Sequence, residues 1–168
     1  VNIAQRNHLL VIEDCAQAFA ADGYRGHSGT DVAMFSFGPI KTATALGGAL
    51  LVFRDHELGN AARQRQNLYP SQSNMQFLAR ILKYSAIKIL TCRFPYTLFF
   101  WSCRLLRTSH DRLISSAVRG FAHGELAFKI RHRPSYPLLA LLKRRIERYT
   151  PAQLIARIQA ATFTASHL

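Results

Sequence analysis

Lys41 has surroundings that do not suit an ordinary surface lysine. It stands three residues beyond an apolar run, Val32-Ala33-Met34-Phe35-Ser36-Phe37, with Gly38-Pro39 between. Small residues follow it, and no acid occurs between Asp31 and Asp55. An amine held among buried strands is desolvated, which disfavours its charged form. A neutral lysine amine is a nucleophile that can condense with a carbonyl to form an imine. A lysine in a plain loop would satisfy the same residue types, so Lys41 does not decide the matter alone. A second chemical residue precedes it. Leu9-Leu10-Val11-Ile12 is a short apolar run that leads into Glu13-Asp14. A carboxylate at the end of a neighbouring strand can bind a protonated ring nitrogen and keep it cationic, which turns the ring into an electron sink.

Such residues need elements to hold them at a common edge. The pattern predicts strands at Leu9–Ile12, Val32–Phe37 and Gly48–Phe53. The middle one is apolar almost throughout, as suits a strand covered on both faces. A short helix near Ala16–Ala21 and a glycine-punctuated loop would join the first two. Tyr24, Arg25 and His27 lie in that loop; each is placed to contact substrate, but a loop residue facing solvent is the simpler reading. Two strands with a chemical residue after each is how an open α/β sheet builds a ligand crevice.

These segments resemble the DegT/StrS family of pyridoxal-phosphate sugar aminotransferases, a fold type I group. Glu13-Asp14-Cys15-Ala16-Gln17 stands where the family has Glu-Asp-Ala-Ala-Gln. Phe35-Ser36-Phe37-Gly38-Pro39-Ile40-Lys41 stands where it has Phe-Ser-Phe, any residue, Pro, any residue, Lys. Asp14 and Lys41 are 27 residues apart, and the resemblance covers roughly residues 1 to 67. Cys15 replaces an alanine, a small swap at a buried position. Gly47-Gly48 lacks the acid that many members place before their glycines.

The resemblance implies an α/β fold: part of the three-layer αβα large domain over residues 1–70, then a basic, mainly helical region over 71–168 leading into an incomplete small domain. It implies that Lys41 is the Schiff-base lysine and proton shuttle of pyridoxal 5'-phosphate. Asp14 would be the pyridine-nitrogen partner, Gln17 the neighbour of the ring hydroxyl, and Ser36 a phosphate ligand. The activity implied is amino transfer from glutamate or glutamine to a keto-sugar, nucleotide-linked, in a homodimer with its site at the subunit boundary. Family members are longer and place a glycine-rich phosphate turn and a stacking aromatic ahead of the aspartate strand. The chain therefore reads as a fragment, expected to be inactive in isolation.

The composition adds a second theme. The 168 residues are 49% hydrophobic and carry a net charge of +13. Residues 1–57 hold four basic and six acidic side chains, whereas 58–168 hold eighteen basic and three acidic. Such asymmetry points to an anionic partner for the second half, or to a solvated basic surface. Helices are predicted from Asp55 to Asn67, through Phe77–Lys88, over Tyr136–Tyr149, and from Thr150-Pro151 to about Ala161. Phe94–Cys103 is an uncharged run of ten residues flanked by Arg93, Arg104 and Arg107. It is too short to span a bilayer, which takes about twenty residues, but suits a membrane interface or a buried helix. No nucleic-acid reader motif accompanies the charge. Three cysteines and seven histidines show no metal spacing. Ser109-His110-Asp111 is adjacent in sequence, which is not how a triad is built. The expected place is the cytoplasm, at the membrane periphery if the basic helices bind lipid. The alternative to an enzyme is a non-catalytic relic whose basic aromatic helices bind an anionic membrane surface.

Overall fold

The computed structural model describes residues 1–41, 43–106, 108–109 and 130–165. Three strands, β1 (Ile12–Asp14), β2 (Val32–Ser36) and β3 (Ala49–Phe53), form one sheet in that order. The described helices are α1 (Asn2–Arg6), α2 (His56–Asn67), α3 (Asn74–Leu90), α4 (Arg93–Leu105), α5 (Tyr136–Glu147) and α6 (Pro151–Ala165). The chain is thus a mixed α/β protein.

β1 runs parallel to β2, with Asp14 opposite Met34. β3 returns antiparallel to β2, with Ser36 opposite Ala49. Alternation along β2 sends Ala33, Phe35 and Phe37 to one face, where all three are buried. Phe77 of α3, Leu138 and Leu142 of α5, and Tyr149 just beyond α5 close over them. Phe19 meets the rings of Phe37 and Tyr149 edge to face, with centroids 5.2 and 5.3 Å apart. This core draws on residues from both sides of position 70.

The middle strand is covered on both faces, as its apolar run predicts, though less completely on the second: there Val32 is buried and Met34 half-buried, whereas Ile12 and Leu51 on the flanking strands are exposed. α2 reaches that side near Phe53, which packs beside Gly59. The first strand also starts later than its apolar run suggests, leaving Leu9 and Leu10 outside it and exposed. No helix forms at 16–21. Asp14 Oδ1 accepts from the Ala16 N–H at 2.9 Å and the Ala18 N–H reaches the Cys15 carbonyl at 3.0 Å, so a tight turn forms instead.

The helix starts follow their sequence signals. Asp55 accepts from the Glu57 N–H at 2.8 Å to open α2. Ser73 and Gln76 make a reciprocal capping box for α3. On α3 the spacing of three and four predicts an inward stripe of Phe77, Ile81, Tyr84, Ile87 and Lys88 with Arg80 off it. The first four do face inward, but Lys88 is exposed and Arg80 is half-buried, bonded to the Leu46 carbonyl. On α5 the spacing predicts Leu138, Leu139, Leu142, Ile146 and Tyr149 on one side; Leu139 is instead exposed, while Leu141 packs against the core. α6 runs to Ala165, beyond its predicted end. Arg107, His110 and Asp111 lie outside the described residues.

Candidate active site

Parallel pairing brings the carboxyl ends of β1 and β2 to one edge of the sheet. Asp14 ends β1 there, and Ser36, the last residue of β2, lies two positions past its partner Met34. The chain then turns tightly, the Lys41 N–H donating to the Gly38 carbonyl at 3.0 Å. Phe37, fully buried, closes the loop that follows. Its N–H donates to the Gly48 carbonyl, and its carbonyl accepts from the N–H groups of Ala45 and Gly47, all at 3.0 Å. Arg80 of α3 adds a bond from Nη1 to the Leu46 carbonyl at 3.3 Å. The loop bearing Lys41 is therefore fixed at its base by backbone bonds to a buried residue.

Asp14, Ala16, Gln17, Ala18 and Lys41 line one open cleft of about 400 Å³. The structure thus brings three of the four sequence-predicted residues to a common wall. The Ala16 N–H fixes the orientation of the Asp14 carboxylate. Ser36 is not part of that wall, but it lies close to it. Its Oγ and the Lys41 Cγ each lie 3.9 Å from the point a Cβ on Gly38 would occupy, so Gly38 leaves open the space beside both. Among the described residues, the side chains of Gln17, Ser36 and Lys41 make no hydrogen bond, which leaves an amide, a hydroxyl and an amine for a ligand. Lys41 is half-buried and Asp14 and Gln17 are exposed. The sealed environment expected of Lys41 is not found, because its loop stands at the sheet edge rather than between strands. Chemically, the set is an amine, an oriented carboxylate, an amide and a hydroxyl.

Glu13 serves another purpose, one not anticipated from sequence. Its Oε1 accepts from the Tyr24 hydroxyl at 2.5 Å, and its Oε2 from the His27 N–H at 2.6 Å. Thr30 Oγ1 donates to the same Oε2 at 3.3 Å. Arg54, after β3, ties down the same loop from Nε to the Thr30 carbonyl and from Nη2 to the His27 carbonyl, each at 2.6 Å. Tyr24 is therefore a strut, and the loop that returns the chain from β1 to β2 is clamped. The Tyr24 bond, then the His27 bond, hold the Glu13 carboxyl below the usual carboxylate range. The same bond to Glu13 leads in pushing Tyr24 up to about 12. Burial, then Glu13, raises the Cys15 thiol. A signal for this role existed: adjacent strand residues point to opposite faces, so Glu13 and Asp14 cannot serve one site.

Elsewhere, Arg144, Arg145 and Arg148 gather with Leu141 and Gln153 around a cavity of about 360 Å³ between α5 and α6. Among the described residues, no three His, Cys, Asp or Glu side chains form a metal-binding group. In comparisons with known proteins, the model of the DegT/DnrJ/EryC1/StrS aminotransferase family matches residues 1–86. Neither a curated protein nor a solved structure matches the chain.

Proposed function

The chain belongs to the DegT/DnrJ/EryC1/StrS aminotransferase family, and from that premise we propose that it handles the cofactor and the amine in a pyridoxal-phosphate aminotransferase acting on a nucleotide-linked keto-sugar. The observation that supports this reading is the cleft shared by Asp14, Gln17 and Lys41 at the ends of two parallel strands. The donor set suits the group part by part: an amine for its aldehyde, a carboxylate for its ring nitrogen, an amide for its ring hydroxyl and a hydroxyl for its phosphate. When bound, pyridoxal phosphate supplies a ring that accepts negative charge from the substrate's α-carbon.

The chain's own residues divide the remaining work. Lys41 would hold the cofactor through its amine, and Nζ, once free, would move the proton at the substrate α-carbon. Asp14, oriented by the Ala16 N–H, would accept the bond of the protonated ring nitrogen and keep its charge in place. Gln17 would steady the ring hydroxyl, and Ser36 would donate to a phosphate oxygen. The loop bonds at Phe37 would keep Nζ from wandering, since positioning errors of an ångström are costly in rate. Glutamate or glutamine would be the amino donor. The open cleft would be completed by a second copy in a homodimer.

The test is a single-turnover donor assay on the native-length protein loaded with pyridoxal phosphate. With L-glutamate or L-glutamine, about one equivalent of the corresponding 2-oxo acid should appear per site, and Lys41→Ala should yield none. An equal yield from Lys41→Ala would overturn the reading.

A further inference from the structure

We propose that α4 docks the protein on an anionic lipid bilayer, lying in the plane of the interface with one apolar stripe immersed. The stripe is Phe94, Leu98, Trp101 and Leu105. Their spacings of four, three and four residues place them on one side of the helix. They are 81%, 62%, 67% and 84% exposed. The other side of α4 is the one held by the protein, with Cys103 buried and Phe99 half-buried. The neighbouring α3 repeats the pattern. Phe77 and Ile81 face the core, while Met75, Leu78, Leu82 and Ile89 form an exposed stripe on the opposite side.

Charge decides which partner fits. Arg93 and Arg104 stand at the two ends of the α4 stripe, and Lys83 and Lys88 are exposed on α3. No acid occurs anywhere between Glu57 and Asp111. A surface that is apolar in the middle and cationic around it complements anionic headgroups over acyl chains. A second copy meeting it face to face would set the same cations against each other, which like-charge repulsion opposes. α4 has 13 residues, and no described helix is long and apolar enough to cross a membrane. The mode is therefore lying on the bilayer rather than spanning it. A tryptophan in the stripe suits the headgroup level, where its ring is half wet.

Trp101 is the chain's single tryptophan, so its fluorescence reads this surface directly. Phosphatidylcholine vesicles containing phosphatidylglycerol should shift its emission to shorter wavelength, and pure phosphatidylcholine should do so far less. High salt should reverse the binding, because it shortens the reach of the arginines below the roughly 8 Å of physiological ionic strength. Leu98→Glu, which alters an exposed position, should weaken vesicle binding about tenfold or more with helix content unchanged. Arg93→Glu with Arg104→Glu should do the same while leaving the apolar stripe intact. The proposal falls if anionic vesicles leave the emission unmoved, or if both variants bind as the unaltered chain does. It also falls if the shift follows protein concentration without vesicles, the result expected when a second copy covers the stripe.

Discussion

Glu13 and Asp14 are neighbours with separate duties, and the separation can be tested one residue at a time. Asp14 stands in the cleft with Gln17 and Lys41, whereas Glu13 turns away to hold Tyr24 and the His27 amide. On the role proposed for Asp14, Asp14→Asn keeps the shape but would not keep a ring nitrogen charged. In steady-state assays of the native-length protein, turnover should fall by a factor of about 100 or more while cofactor affinity changes little, the mark of a group acting in the transition state. Turnover within a few-fold would remove Asp14 from this role. For the clamp, the sign follows from the two shifts. Glu13 is held below its ordinary range, so its contribution is present above that range and lost as pH falls through the lowered value. Tyr24 is raised from 10.0 to about 12, so its contribution is complete below 10 and lost as pH rises through about 12. Absorbance titration of the six tyrosines should show one late-ionising group, absent in Tyr24→Phe and returned to the ordinary range in Glu13→Gln. A late group that survives Tyr24→Phe would contradict the assignment.

The elements that carry the site were legible to different degrees. The run Val32–Phe37 was read correctly as a strand because apolar β-formers and the Gly38-Pro39 stop agree. The register that sets Asp14 opposite Met34 was not legible, since pairing depends on a distant segment. The helix expected at 16–21 was lost to a local bond, Asp14 to the Ala16 N–H, which the alanine-rich composition hides. The clamped loop between β1 and β2 gives a test at this scale. Gly26 has φ +95°, and a Cβ there would meet the Ala33 Cβ at 2.6 Å. Gly23 has φ +82° but faces open space. Gly26→Ala should therefore destabilise by about 2–4 kcal/mol, combining backbone strain and overpacking. Gly23→Ala should cost only about 1–2 kcal/mol, from the backbone alone. Urea melts that give equal losses would mean the loop does not sit on Ala33.

For the whole molecule, charge and hydrophobic pattern were legible and long-range packing was not. The +15 balance of residues 58–168 follows from counting, and the apolar run in α4 from inspection. That Leu138, Leu142 and Tyr149 close the core over a strand a hundred residues earlier could not be read from either, because nothing local records it. One consequence is that the Lys41 loop leans on α3 through Arg80, so the site depends on helices beyond the strands that bear its residues. The claim at the centre is that Lys41 carries the cofactor. Borohydride reduction of the native-length protein with pyridoxal phosphate, followed by peptide mass mapping, tests it most directly. The adduct should lie on the peptide containing Lys41. An adduct on Lys83, Lys88, Lys129 or Lys143 with Lys41 unmodified, or none at all, would contradict it.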